Sequence, residues 1–395
     1  VKILFLTARF PYPPDRGDRL NAYHLLRALA DRHRVTLLSF VDGSEPGGGR
    51  ATLEALCERI ETVQLSRRRS WTQAVVGMFS ADPSQVSYYR SRAMAERVET
   101  LGREGDWDLI FVQLFRMAPF AAAIPSRSKV LFLTDSIALA LERRMRFQPG
   151  WQRLPLAWER ARVSRFEVGA TRSFRENWVV SHVDAQHLAG RGAVNVHVVA
   201  HGVDERLFEI PLESRTGDRV TFLGNLGVPH NVDAATHLAH DIWPGIRRQR
   251  PAATLEIAGA DPVVTLRRFH GRDGITVTGA QDDLVALWSR ASLLLAPLRF
   301  STGIQNKVLE AMAAGVPVVT TPEAAEGIGA REGEHLLIGG DPASLVAHTV
   351  STLRDPAGAL AMAGRARCFV RERFSWETQV RRLEDIARTA RQERA

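Results

Sequence analysis

The stretch FSTGIQNKVLEAMAAGVPVV, residues 300–319, reads as a loop, a short helix and the start of a strand. The apolar run SLLLAP ends at Pro297 ahead of it, LRFSTGIQ has no period, NKVLEAMAA has a helical one, and Gly315 stops the helix before VPVVTT. Strand, loop, helix, strand is one parallel α/β unit, and ligands of such sheets bind beyond the carboxyl ends of the strands. Asn306 suits an N-cap, so the helix is expected to open free backbone N–H groups toward that edge, where an anion can be held. Lys307 and Glu310, at i and i+3, share one helix face: a compact cation suited to a phosphate and a carboxylate whose two oxygens match a vicinal diol. The plain alternative for any Lys-x-x-Glu is an exposed pair worth about 0.2–0.5 kcal/mol. Here Gly303 admits a close backbone approach, AMAAG offers a small packing face, and a chain with 49 arginines places one of only three lysines at this point. Together these features describe half of a nucleotide-sugar site.

Outward from this unit, short apolar runs alternate with helical patterns along almost the whole chain, which predicts two doubly wound, Rossmann-like α/β domains. The first half has expected strands at 2–7, 35–41, 61–65, 108–113, 129–133, 177–180 and 195–199; the second has them near 220–224, 254–258, 275–278, 292–296, 316–320 and 335–338. The polar, turn-rich HGVDERLFEIPLESRTGDR, residues 201–219, holds the join, giving domains 1–203 and 204–373. EPGGGR at 45–50 reads as a loop tip. DWD at 106–108 has the spelling of a metal-binding pair but precedes its strand, so it falls at the wrong edge. His230, His237 and His240 share part of a helical face and read as a solvated one, so no metal is expected. No G-x-G-x-x-G follows the first strand and no P-loop motif exists, which argues against simple dinucleotide oxidoreductases and P-loop enzymes.

With 395 residues, 45% of them apolar, and no apolar run near the roughly 18 residues a spanning helix needs, a soluble two-domain protein is expected. Cys57 and Cys368 form no disulfide framework, which fits a cytoplasmic location. The net charge of +8 divides into +9 for residues 1–203 and −1 for the remainder. Such asymmetry points to a polyanionic partner of the first half or to a coding bias toward arginine. RRRSWTQAVVGMF at 67–79 and ERRMRFQPGWQRLPLAW at 142–158 mix arginine with tryptophan and aliphatic residues. They suit either an anionic membrane surface, with the protein peripheral on its inner face, or ordinary helices with an apolar core side. No helix-turn-helix, zinc-finger or base-stacking motif accompanies the charge, so nucleic acid is not the expected partner.

KVLEAMAAGVPVV resembles the carboxyl-half signature of glycosyltransferase family 4, retaining enzymes of the GT-B fold, in which two Rossmann-like domains face a cleft. VKILFLTARFPYPPDRGDRLNAYHLLRALA is similar to that family's first strand, glycine loop and first helix. HVVAHGVDERLF is similar to its turn before the domain join, with His201 in place of an asparagine. RFSWETQVRRLEDI resembles its last helix, which implies that residues 374–395 cross back to the first domain. The pairing of the amino-terminal and 300–319 motifs is more narrowly similar to sugar transferases of exosortase-linked (PEP-CTERM) exopolysaccharide clusters. The chain departs from the pattern in placing Thr302 where the family has the first of two glutamates, and Asn225 and Asn231 where many members have an arginine and a lysine.

The resemblance implies metal-independent transfer of a sugar from a nucleoside-diphosphate sugar to a glycan, lipid-linked or small-molecule acceptor, without a cofactor. Lys307 becomes the main cation for the diphosphate, with Arg299 and Arg19 nearest to help, and Gly17 and Asp18 cover it from the loop after the first strand. Asn225, Gly279, Thr302, Gly303, Ile304, Gln305 and Glu310 complete the expected donor site. Asp135, after the strand VLFLT, either orients or deprotonates an acceptor hydroxyl or caps the next helix. Arg19 and Asp135 are the expected acceptor residues, and Asp135 and Lys307 the catalytic ones. The rival readings are a natural-product glycosyltransferase, an NDP-sugar epimerase of similar architecture, a non-catalytic nucleotide-sugar binder and a nucleic-acid-binding protein.

Overall fold

The computed structural model describes residues 1–14, 17–43, 45, 48–122, 124, 128–213, 215 and 217–392. Asp15 and Arg16 of the expected glycine loop and Pro46 and Gly47 of the expected loop tip lie outside the described residues. The chain divides into two compact units: residues from Val1 to Gly202 joined by the helix from Trp376 onward, and Val203–Ser375.

In the first unit seven strands, β1 (Lys2–Thr7), β2 (Arg34–Val41), β3 (Arg59–Gln64), β4 (Leu109–Gln113), β5 (Lys129–Thr134), β6 (Glu176–Val179) and β7 (Val196–Val198), form a parallel sheet of order β3-β2-β1-β4-β5-β6-β7. Their unbroken apolar runs follow from helices covering both sides of the sheet: Ile3, Leu4, Phe5 and Leu6 are all buried. Phe111, Phe132 and Trp178, on β4, β5 and β6, pack across the sheet with ring centroids 5.8–6.4 Å apart, Trp178 edge-to-face with both phenylalanines.

The helix Trp376–Gln392 is part of this unit. Trp376 stacks between His24 and His201, with centroids 5.3 and 6.0 Å away, and a side chain at Gly202 would meet it at 2.5 Å. Farther along, Arg382 clasps Glu176 at 3.0 and 2.6 Å, and Arg391 reaches Asp108 at 2.7 Å. Asp108 also accepts the Lys2 backbone N–H at 2.8 Å, so the DWD carboxylate fastens the sheet at its inert edge.

The second unit has six parallel strands, β8 (Arg219–Leu223), β9 (Thr254–Ala258), β10 (Ile275–Val277), β11 (Leu293–Ala296), β12 (Val318–Thr320) and β13 (Leu337–Ile338), in the order β10-β9-β8-β11-β12-β13. Strand order therefore reverses at β1/β4 in one sheet and at β8/β11 in the other, the two places where ligands of such sheets bind. The helix Asn306–Ala313 follows β11 and is buried from Lys307 to its end. Its carbonyl end closes in a Schellman turn: Val316 N–H donates to Ala311 O at 2.8 Å and Gly315 N–H to Met312 O at 3.1 Å, with Gly315 at φ +66°. Arg367 and Arg215 satisfy the last buried carbonyls, reaching Ala313 O at 2.9 Å and Ala314 O at 3.2 Å. One expectation is corrected at the other end. Gln305, not Asn306, occupies the N-cap in extended conformation, and Asn306 is the first helical residue.

Candidate functional site

At the β8/β11 reversal the Lys307 side chain is drawn inward by polar contacts from the helix Pro229–His237 and from the loop residue that caps its own helix. Its Nζ donates to Asn231 Oδ1 at 2.7 Å and to Gln305 Oε1 at 3.4 Å, and lies 5.4 Å from the Phe222 ring centre. Asn231 is held in turn by the Asn225 carbonyl, to which its Nδ2 donates at 3.1 Å. Room for this arrangement comes from two glycines. A β-carbon at Gly224 would stand 2.7 Å from the Asn231 side chain, and one at Gly259, where φ is +145°, would stand 1.8 Å from the Gly224 carbonyl oxygen.

Burial sets the electrostatics of this group. It pulls the Lys307 ammonium down to about 7, against Glu310, and pushes the Glu310 carboxyl up to about 7. Lys307 opposes the Glu310 rise, Asp204 adds to it, and the Trp288 indole opposes it. His230, expected on a solvated face, stands apart from His237 and His240. Burial, with Lys307 adding, drops its imidazole to about 3, so it is neutral at pH 7. His237 and His240 both bond Asp241, at 2.6 and 2.8 Å. Among the described residues, no three His, Cys, Asp or Glu side chains gather in a group that could hold a metal.

Several expected donor residues surround this centre. Thr302, Gly303 and Ile304 form the loop before the helix; Gly303 adopts φ +66°, and Gln305 Nε2 donates to the Thr302 carbonyl at 3.2 Å. Asn225 turns its side chain away, donating to Asp261 at 3.2 Å and accepting Gly227 N–H at 2.9 Å. Arg299 is clasped by Asp233, with one bond at 2.9 Å. Gly279 follows β10, and its carbonyl accepts the Gly259 N–H at 3.1 Å.

In the first unit the β1/β4 reversal carries Asp18. Gly17 and Asp18 are the first two residues of the helix Gly17–Ala30 rather than loop residues, so their backbone N–H groups belong to a helix start. Burial alone would raise the Asp18 carboxyl, but Arg9, Arg116 and Arg19 hold it below its usual range. Its Oδ2 accepts from Arg9 at 3.0 Å and Arg116 at 3.5 Å, while its carbonyl accepts from Gln113 at 2.7 Å. Arg19 is half-buried beside it on the same helix.

Asp135 sits one residue past β5, but Ser136 is the N-cap of the helix Ile137–Met145, accepting Leu139 N–H at 3.3 Å. The capping role weighed for Asp135 is therefore corrected. The segment is fixed on both sides. Thr134 has φ +73°; Ser136 donates its N–H to Asp184 at 2.9 Å and its hydroxyl to Glu167 at 3.1 Å; and Ile137 N–H donates to Glu167 at 2.7 Å. Burial pushes the Glu167 carboxyl up to about 8, and Asp135 adds to the rise against these hydrogen bonds. Glu167, Asp184 and the neutral state of His230 were not singled out from sequence, since all three lie within helical patterns with no distinguishing motif.

Residues 217–355 match the family described as Glycosyl transferases group 1. The protein is a glycosyltransferase of the GT-B fold, with a group 1 domain in its second unit. Over nearly its whole length it is similar to the glycogen synthase of Mycobacterium tuberculosis, 29% identical over 396 residues, covering 96% of this chain and 92% of that protein. Among solved structures, sucrose-phosphate synthase from Thermosynechococcus elongatus superposes with a TM-score of 0.72 at 16% identity, covering 98% of each chain. The Anabaena protein HepE in complex with UDP gives 0.68 at 18%, covering 98% of this chain and 99% of that one. At these identities the two structures bear on the fold.

Proposed function

We propose that the protein is a retaining glycosyltransferase of family 4, moving a sugar from a nucleoside-diphosphate sugar to an acceptor hydroxyl in bacterial exopolysaccharide or envelope glycan synthesis at the inner face of the membrane. The observation that carries this reading is the buried Lys307, held by Asn231 and Gln305 at the β8/β11 reversal and one helical turn from the buried Glu310. In this reading Lys307 meets the diphosphate and Glu310 accepts from the ribose hydroxyls. HepE, solved with UDP, makes UDP the first nucleotide to test.

In the proposed reaction the bond from the sugar's anomeric carbon to the phosphate oxygen breaks with its electron pair going to the diphosphate. The acceptor oxygen bonds to the same face of the sugar, and its proton passes to the departing phosphate oxygen. Stabilising that charge without a metal falls to Lys307 and the helix start, at about 1.5–3 kcal/mol per charge-assisted hydrogen bond and about 0.3–2 kcal/mol for the helix terminus. Catalysis on the usual scale of at least about 8 kcal/mol then needs donor and acceptor held in reacting geometry, a contribution of up to about 7–11 kcal/mol. Asp135 and Arg19 serve the acceptor and Gly17 with Asp18 the diphosphate in the same proposal.

The test is calorimetric titration with UDP, GDP, ADP and dTDP in EDTA, on the parent, Lys307→Ala and Glu310→Ala. Lys307→Ala is expected to lose affinity for every nucleotide and for inorganic diphosphate; Glu310→Ala is expected to lose nucleotide affinity while keeping inorganic diphosphate. Both variants binding like the parent would refute the site. Binding without transfer to any acceptor would favour a non-catalytic binder, a reading that Thr302 in the first-glutamate position supports.

A further inference from the structure

We infer that the helix Arg67–Gly77 with its following turn, together with residues 147–158, forms one face that docks on an anionic lipid bilayer. This deepens the inner-membrane placement proposed above and stands apart from the transfer chemistry. Of the twelve large hydrophobic side chains exposed among the described residues, nine lie in these two segments: Trp71, Val75, Val76, Met78 and Phe79, then Phe147, Trp151, Leu154 and Trp158. They are arranged as stripes. Positions 71, 75 and 79 follow one helical face, and 151, 154 and 158 follow another. Such spacing ordinarily marks a core side, yet Phe79 is 91% exposed, Leu154 79% and Trp151 75%. Trp71, Phe79, Trp151 and Trp158 alone present on the order of 500 Å² of aromatic surface, large for a monomer's apolar patch.

The fold joins the two segments deliberately. Arg162, 2% exposed and on the helix Gly150–Thr171, donates through one nitrogen to the carbonyls of Gly77, Met78 and Ser80 at 2.7, 3.1 and 3.1 Å. Its guanidinium also lies 5.9 Å from the Trp158 ring centre. Glu159 accepts from Ser84 N–H and Oγ at 2.7 and 3.1 Å. A buried guanidinium is costly, and here it fixes the end of one exposed stripe against the helix that bears the other.

Charge selects the occupant. Residues 67–79 and 142–158 contain seven arginines and one acidic residue, Glu142, and Arg68, Arg69, Arg146 and Arg153 are exposed. Arginine around tryptophan and phenylalanine matches the headgroup boundary of an anionic bilayer, with rings at the acyl edge and guanidinium groups on phosphates. A second copy of the chain would bring the same arginines against each other, a like-charge contact that opposes association.

The full chain is sedimented with vesicles of phosphatidylcholine alone and of phosphatidylcholine with about 30% phosphatidylglycerol. The parent is expected to pellet with the anionic vesicles. A Phe79→Ser/Trp151→Ser/Leu154→Ser triple variant is expected to partition at least tenfold more weakly, and so is an Arg68→Gln/Arg69→Gln/Arg153→Gln triple variant. These side chains are exposed, so both variants keep the parent's circular dichroism and unfolding midpoint. Failure of the parent to pellet, equal pelleting by the apolar variant, or a concentration-dependent dimer abolished by that variant in place of vesicle binding would each overturn the inference. UDP titration of the same samples separates the two readings: vesicle binding by a protein that binds no nucleotide would leave the docking face standing and remove the transferase site.

Discussion

Lys307 is removed from water in the free protein, and its position is stabilised by an amide oxygen on Asn231 rather than by a carboxylate at contact distance. An ammonium so placed sits near its titration midpoint at neutral pH, whereas a bound diphosphate would restore its charge. Binding then takes up a proton above about pH 7, so the affinity for inorganic diphosphate is expected to fall by up to tenfold per pH unit between pH 7.5 and 9. In Lys307→Met that slope should vanish and affinity drop roughly 10- to 150-fold, the equivalent of one charge-assisted bond. The unfolding midpoint should hold or rise, because an apolar chain suits the site better. Calorimetry across pH and urea titration check the two halves of this prediction. Glu167 gives a second pH signature. Its folded value of about 8 exceeds the ordinary 4.5, so the native state holds an extra proton between them and loses stability as pH rises through about 8. Glu167→Gln is expected to flatten the stability profile across that window, by at most one proton's slope. Lys307 and Glu310 were legible in sequence because a rare lysine stood at a strand-loop-helix edge. Asn231 as the lysine's partner was not, since that contact spans 76 positions.

At the scale of elements, the parallel strands were readable because both faces of each sheet are covered, leaving continuous apolar runs bounded by turns. Each expected strand is present, and the differences are at the ends: the run expected at 316–320 begins at Val318, after Pro317, which cannot donate to the ladder. Helix starts were less legible. Asn306 and Asp135 are both good capping residues by type, yet the backbone places Gln305 and Ser136 in the extended conformation that a cap requires. Composition states what can cap, whereas the loop length before the helix decides which residue does. The Schellman turn is the best-defined end, and Gly315→Ala tests it. A side chain there must adopt φ +66° and would meet Leu212 at 2.6 Å. A loss of about 1–2 kcal/mol is expected in urea unfolding, with Lys307 affinity changed less than stability.

At the scale of the whole molecule, the two α/β units were foreseeable from alternation, but which helical stripes stay uncovered was not. The stripes at 67–79 and 142–158 have the spelling of core faces, and only the folded structure reveals that nine of their large apolar side chains stay exposed. The first unit depends on the helix Trp376–Gln392, through the Trp376 stack and the Arg382 and Arg391 ion pairs. Truncation after Ser375 is therefore expected to accelerate amide hydrogen exchange in β1, β4 and β6 while nucleotide binding by the second unit persists; protection unchanged in those strands would disprove it. The same helix also fixes the order in which the protein can be made. A ribosome that has finished Gly202 must still synthesise the entire second unit, a wait of about 10–40 s at ordinary elongation rates, before the first unit receives its last piece. The unit made first is thus the one completed last, with His24, His201 and the ends of Glu176 and Asp108 left to solvent or chaperone until the closing helix emerges.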